Sequence, residues 1–299
     1  MSLAFDILLT FGIVFTAAAT LGTQDRVASV AGFVVTGLLV ALSWVRLGAP
    51  DVALAEAAIG AGLTGALLLR NVRRLKPAKM RTSPPTHRVI VALIAAGFAG
   101  ALAWAVYTAT GTTLYPDLVG QWLAESGVTN PVTAVLLNFR AWDTLLEIAV
   151  LFVALILVRT VAPILPQPAP LGELMLPFAR IVVPVCAFLA GHLLWQGASA
   201  PGGAFQAGAI LAGGLLVLML GGFAVPTPRL IFWGLLLAVA GLVVFAIAAL
   251  GAEFLTGTLL LYPHGTAKSW ILAIEAALTL SIAAMLFLLF CGIPQRPLK

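Results

Sequence analysis

Apolar residues in this chain run in long blocks instead of alternating, and polar residues gather in the gaps between blocks. A block of about 20 apolar residues is the length that carries a helix across the hydrocarbon core of a bilayer. On that measure the pattern predicts nine membrane-spanning helices, at roughly 3–21, 27–46, 51–70, 89–108, 139–161, 172–195, 204–223, 229–250 and 269–290. Glu56 weakens the third block and an acidic face weakens the fifth. The fold class expected is therefore all-α, a polytopic transmembrane helical bundle. The chain opens Met-Ser-Leu-Ala-Phe-Asp, without a basic lead or a small-residue cleavage site after the first apolar run, so that run is read as a retained helix.

Composition agrees with this pattern. The chain has 299 residues, 62% hydrophobic and 9% charged, with a mean hydropathy of +1.11. A soluble domain carries about 25% charged residues. The net charge of +5 consequently reports membrane orientation and not nucleic-acid binding. Between blocks three and four lie Arg70, Arg73, Arg74, Lys76, Lys79, Arg81 and Arg88, with no acid among them. Basic residues concentrate on the cytoplasmic side of membrane proteins, which predicts an external N-terminus and a cytoplasmic C-terminus. Cys186 and Cys291 sit far apart in apolar runs and read as small buried hydrophobes.

Two gaps are distinctive. Residues 109–138 carry Asp117 and Glu125, and Leu118, Val119, Trp122 and Leu123 predict a short helix at headgroup level. Residues 162–171 are proline-rich and predict a semi-rigid linker between a five-span module, 1–161, and a four-span module, 172–299. Within the first module, 1–108 supplies four spans and 139–161 the fifth.

Charges inside spans are the candidates for function, because an ionisable group at membrane depth is costly and is usually kept for a partner charge or a water-filled path. Arg140, Asp143 and Glu147 fall at intervals of three and four, which puts them on one helix face about 5–6 Å apart at Cβ. Arg140 capping the outer end and neutralising Asp143 accounts for that pair but leaves Glu147, one turn deeper, as the titrating group. Asp51 follows Pro50 at a helix start, where an acid favours the positive dipole end. Glu56, with Gly60 and Thr64 on its face, reads either as a protonatable or cation-binding carboxylate or as a structural acid paired with another chain. Its depth favours the first. Ala53, Ala57, Ala61 and Gly65 form an adjoining small-residue ladder that admits a close helix neighbour.

In the sixth block Pro184 predicts a kink, and Arg180 reads as a snorkelling base. His192 is a boundary residue or a proton relay, and Glu275 in the ninth block is a lone acid of the same kind. Pro201, Gly202 and Gly203, with Gln206, predict an irregular turn that must be buried in protein or line a cavity. Beyond it, Ala204, Gly208 and Ala212 form one small-residue edge and Ala209 and Gly213 a second. No Walker motif, metal-spaced Cys/His cluster or haem pattern is present, so ATP-driven transport and metal or cofactor chemistry find no support. No cofactor is expected, and no metal beyond a transient Na+.

Three stretches carry a family resemblance. Pro50-Asp-Val-Ala-Leu-Ala-Glu-Ala-Ala-Ile-Gly60 resembles the C-terminal part of the large A subunit of Mrp-type multisubunit sodium/proton antiporters, a module shared with energy-converting hydrogenases. Thr133-Ala-Val-Leu-Leu-Asn-Phe-Arg-Ala-Trp-Asp-Thr-Leu-Leu-Glu147 looks like the next module, and Pro201-Gly-Gly-Ala-Phe-Gln-Ala-Gly-Ala-Ile-Leu211 is similar to the B subunit. The resemblance implies a non-autonomous subunit in the cell inner (plasma) membrane. It would pack against complex-I-like antiporter subunits and lipid, with Glu56, Asp143 and Glu147 on a path for Na+ or H+. The large antiporter core of the A subunit has no counterpart in this sequence. The alternatives are an ion-translocating subunit of a hydrogenase- or complex-I-like respiratory complex, and a structural scaffold.

Overall fold

The computed structural model describes residues 3–72, 84–109, 115–161, 172, 174–223, 227–263 and 265–291. Most of the basic segment between blocks three and four, the 162–171 linker and the C-terminal bases Arg296 and Lys299 lie outside the described residues. Each of the nine apolar blocks is a helix. Helices α1 (Leu3–Gly22), α2 (Arg26–Arg46), α3 (Pro50–Val72) and α4 (Pro85–Thr108) come first. A short α5 (Tyr115–Trp122) is extended by a 3-10 turn, Leu123–Ser126, and α6 (Pro131–Ala134) by a π-helical turn, Val135–Phe139. Then follow α7 (Ala141–Val161), α8 (Met175–Gln196), α9 (Ala204–Leu220), α10 (Pro228–Thr256) and α11 (Ala267–Cys291). Among the described residues, eight helices are long and apolar enough to cross a membrane, and α9 is a shorter apolar helix.

Packing ranks these helices. The apolar composition of α11 continues around its whole circumference, as a central helix requires, and 72% of its span is buried. Helices α7, α8, α9 and α10 pack around it. Close approach rests on small residues. A Cβ added at Gly208 of α9 would meet Ile282 of α11 at 2.8 Å, and one at Gly241 of α10 would meet Ser281 at 2.5 Å. The Ser281 hydroxyl then donates to the Ala238 carbonyl at 2.7 Å, which satisfies a buried polar group within the interface. Of the two small-residue edges foreseen on α9, the first packs this way. The second is divided, since Ala209 is buried in the core while Gly213 has nothing within 4 Å and lines an apolar groove.

Helices α1 and α2 form a hairpin, with Asp25 capping α2 through the Val27 N–H at 2.8 Å and Arg46 reaching Asp6 at 2.7 and 3.0 Å. The hairpin docks through α2 onto the small-residue ladder of α3, where Gly37 meets Ala61 and Val34 lies over Gly65. Over Val89–Thr108, helix α4 buries none of its residues within the described residues.

The core ignores the division seen in sequence. One buried cluster contains Leu63, Leu137, Ile148 and Leu155 from before the linker and Leu216, Phe245, Ile274 and Met285 from after it. Arg70, at the end of α3, adds a polar tie across the same boundary. Its Nη2 donates to the Cys291 carbonyl at 3.0 Å and its guanidinium lies 5.0 Å from the centre of the Phe290 ring. A cation here also meets the negative end of α11. Arg70→Gln is expected to destabilise the chain by about 1–2 kcal/mol, because a charged hydrogen bond and a cation–π interaction disappear together. A lower melting temperature in detergent would register it, and an unchanged one would assign the tie no weight.

Candidate functional site

The site begins with two helix interruptions. In α3 the residues Glu56–Leu63 form a π-helical stretch, a feature often found at functional positions. The Thr64 hydroxyl donates to the Ile59 carbonyl, five residues back, at 2.8 Å and so satisfies the widened turn. The second interruption was not foreseen. The sequence pattern predicts one helix over 139–161, but α6 ends in a π turn at Phe139, Arg140 leaves helical geometry at φ −131° and ψ 37°, and α7 starts at Ala141. The Thr144 hydroxyl donates to the Leu136 carbonyl at 2.6 Å, bridging the break.

A third irregular segment, 197–203, lies between α8 and α9. Helix α9 has 17 residues, which at 1.5 Å each reach about 25 Å, short of a hydrocarbon core of about 30 Å. The Pro201-Gly202-Gly203 turn leads into its N-terminus, buried as its exposed peptide groups demand. Its peptide groups are satisfied from distant segments. Asn130 donates to the carbonyls of Gly197 at 3.2 Å and Ala200 at 3.0 Å, and the Thr133 hydroxyl donates to Gly197 at 2.5 Å. The Gly202 N–H donates to Asp51 Oδ1 at 3.0 Å, while Gln206 Nε2 donates to the Asp51 carbonyl at 3.0 Å. Asp51 is 7% exposed, so this acid anchors the start of α3 to the start of α9.

The start of α3, the α6–α7 junction and the turn into α9, with Glu275 and Leu278 of α11, line a partly open chamber of about 270 Å³. Its polar lining is Asp51, Thr133, Thr144, Glu147, Gln206 and Glu275, with the backbone of Gly202 and Gly203. Glu275 is 2% exposed, and its carboxylate lies near the Ala204 backbone N–H at the positive end of α9. Gly203 adopts φ +109°, a conformation glycine tolerates. A Cβ there would stand 2.9 Å from Glu275 Oε1. The turn that appeared in sequence as a helix break is thus also the seat of a carboxylate far along the chain.

The other sequence candidates fall elsewhere. Arg140 and Asp143 make an ion pair at 2.5 Å outside the chamber lining, their side chains 67% and 44% exposed. Arg140 lines a separate apolar groove with Tyr115, Leu118, Val119, Trp122, Val135 and Phe139. Glu147, one turn further along α7, lines the chamber instead. Glu56 is half-buried and its carboxylate folds back over Gly60, outside the chamber lining. His192 is exposed on α8, and Pro184 sits within the same helix, which continues through it. Asn130, Thr133 and Thr144 were not singled out from sequence. The Asn130-Pro131 pair did carry a signal, an N-cap residue followed by proline at the first helical position, and Asn130 does accept from the Val132 N–H at 2.9 Å. Among the described residues, no three of His, Cys, Asp and Glu converge closely enough to hold a metal ion.

Fold and site together define a multi-pass α-helical membrane protein whose buried polar groups meet in one chamber. Residues 11–77 match the family model MbhD, described as the D subunit of MBH, and residues 175–293 match MnhB, a domain related to the MnhB subunit of the Na+/H+ antiporter. The A subunit of the Na(+)/H(+) antiporter of Bacillus subtilis (strain 168) is 27% identical over 155 residues, 50% of this chain and 19% of that protein. The solved structure of the Mrp complex from Dietzia sp. DQ12-45-1b contains a chain of the same fold, with a TM-score of 0.81 at 24% identity. The match covers 98% of this chain and 35% of that one. One polypeptide thus carries a segment similar to MbhD and a domain similar to the MnhB subunit. The chain spans 19% of the length of the Bacillus relative and 35% of the Dietzia chain. The Pro50–Gly60 and Pro201–Leu211 stretches fall inside the two family matches, and Thr133–Glu147 falls between them.

Proposed function

We propose that this chain is a non-autonomous subunit of a multisubunit cation/proton antiporter of the plasma membrane, and that it contributes part of an ion path. The chamber carries this reading. It gathers Asp51, Glu147 and Glu275 from three separate segments inside an apolar bundle, and ionisable groups so placed mark substrate and proton pathways. Glu56 stands one and a half turns beyond Asp51 on α3 and extends the line of acids away from the chamber. The Arg140–Asp143 ion pair lies exposed, outside the chamber lining. Oxygen ligands and protonatable oxygens suit a hard cation such as Na+ or a proton. The antiporter relatives support a secondary transporter over a chain with catalysis of its own, and other antiporter subunits and lipid as the partners covering its apolar faces.

The test is Glu147→Gln and Glu56→Gln in the whole complex, assayed in vesicles as Na+-dependent dissipation of ΔpH. Loss of antiport to about a tenth of wild type or less is expected, with the assembled complex still present on native gels. Normal antiport by both variants would sink the reading, and failed assembly with both would favour a scaffold. The MbhD match favours a second reading, in which the same path is driven by a partner's redox chemistry. Copurification of iron–sulfur subunits with this chain would support that reading over antiport.

A further inference from the structure

We propose that Glu275 is the proton-exchanging group of the chamber, taking up and releasing a proton at Oε2 through chamber water. This deepens the ion-path reading and rests on it.

The argument begins with hydrogen-bond accounting. A carboxylate has two oxygens and about four acceptor sites, and a buried one needs donors for them. Glu275 Oε1 is accommodated at the turn, 2.9 Å from where a Gly203 Cβ would stand and 3.3 Å from where a Gly197 Cβ would stand. Oε2 is fully buried and has no hydrogen-bond partner among the described residues. The residue is 2% exposed and lines the chamber. An orphaned carboxylate oxygen so deep has a high desolvation cost unless it meets a cation, a water or a proton.

Geometry selects among these occupants. Among the described residues no three His, Cys, Asp or Glu side chains converge as ligands of a metal ion would, so carboxylates alone do not form a cation cage here. The chamber does have room for several waters, and Thr133, Thr144 and Gln206 supply polar partners for them. A proton on Oε2 turns the orphan acceptor into a donor toward that water.

The charged neighbourhood is sparse. Asp51 and Glu147 are the other titratable groups lining the chamber, and Asp51 is engaged by the Gly202 N–H. Of the helices packed on α11, α7 also carries Asp143 and Arg159, α8 carries Arg180 and His192, and α10 carries Arg229 and Glu253, and none of these lines the chamber. The buried Tyr262 stacks on Trp270 near the start of α11, also off the lining. Among the described residues no base lines the chamber to hold Glu275 ionised, which leaves proton exchange with the water between it and Glu147. In the step itself an O–H bond forms at Oε2 as one breaks in a hydronium of the chamber, giving water and a neutral acid. Release reverses it, with Glu147 as the next carboxylate.

The experiment uses the whole complex in vesicles, with Glu275→Gln and Glu275→Asp. For Glu275→Gln the maximal antiport rate is expected to fall about tenfold or more across the pH range, while the Na+ concentration for half-maximal rate stays within about twofold. Glu275→Asp keeps a carboxylate one methylene shorter, so it is expected to retain transport with a displaced pH profile. Wild-type rate and profile in Glu275→Gln would overturn the proposal. A raised half-saturating Na+ at unchanged maximal rate would also overturn it, making Glu275 a sodium ligand. Should Glu275→Gln fail to assemble, Glu275→Asp decides, and a pH profile coincident with wild type rejects the proposal. Infrared difference spectra supply a readout independent of transport: a carboxylic-acid C=O band that appears on acidification and moves in Glu275→Asp is expected, and its absence counts against the proposal. Loss of antiport in Glu147→Gln with a normal Glu275→Gln would defeat this proposal alone. Normal antiport in Glu147→Gln and Glu56→Gln would defeat the ion-path reading beneath it.

Discussion

Asn130→Ala is expected to be among the most destabilising single substitutions in the chain, by about 2–4 kcal/mol. Its amide and carbonyl act on both sides of a buried junction. The carbonyl oxygen caps α6 through the Val132 N–H, and loss of such a cap costs about 1 kcal/mol. The amide donates to the Gly197 and Ala200 carbonyls. Gly197 keeps a donor in the Thr133 hydroxyl, so the substitution strands only the Ala200 carbonyl, at about 1–3 kcal/mol for a buried unsatisfied group. Because those carbonyls belong to the turn that seats Glu275, the loss reaches the chamber as well as the melting temperature. Thermal unfolding of the purified complex measures the first, and the pH profile of antiport measures the second. Asn130→Asp retains the cap and removes the donors, so it separates the two contributions. A cap-only origin predicts near-wild-type stability for Asn130→Asp.

The second large effect is expected at Gly208. Leucine there would drive a side chain into Ile282 and the Thr279 carbonyl, the nearest atoms to a Cβ at 2.8–3.0 Å. Overpacking a well-filled core costs about 1–3 kcal/mol and sometimes more. Here the obstruction includes backbone, so α9 and α11 would have to move apart. The expected outcome is loss of folded complex, seen as aggregation on size exclusion. Gly213→Ala, further along the same helix, is the comparison. Nothing lies within 4 Å of it, and alanine in place of a helical glycine is favourable by about 0.8–1 kcal/mol. A stability loss in Gly213→Ala equal to that in Gly208→Leu would show that propensity and not packing governs α9.

Local signals carried much of the architecture. Hydropathy runs located all nine apolar helices to within a few residues at most ends, because crossing a bilayer imposes a length and composition that a sequence cannot hide. The Pro50–Asp51 start, the small-residue ladder of α3 and the buried turn at 201–203 were legible for similar reasons, since each depends on neighbours in the chain. The Arg140–Asp143 pair was legible from its spacing of three. The break at Arg140 was less so, since Phe139-Arg140-Ala141 contains neither proline nor glycine and its π turn is stabilised by Thr144 reaching back eight residues to Leu136.

Glu275 marks the limit of sequence reasoning. In the sequence it is one acid in an apolar run with nothing organising it, and Glu56 on its glycine-flanked face stands out more. The structure exchanges their places: Glu56 folds back along its own helix, while Glu275 faces the chamber. What organises Glu275 is a turn more than three helices' length earlier in the chain, itself held by Asn130, Thr133 and Asp51 from other segments.

The sequence by itself determined that this is a polytopic helical membrane protein, with a few acids too deep to be incidental. Those properties follow from local composition and periodicity. Only the tertiary structure decided which acids meet, that α11 is the centre of a core shared across the 162–171 linker, and that Asp51, Glu147 and Glu275 line one chamber while Glu56 does not. Convergence of that kind depends on long-range packing between small residues and on hydrogen bonds between distant peptide groups. Neither leaves a periodic trace along the chain.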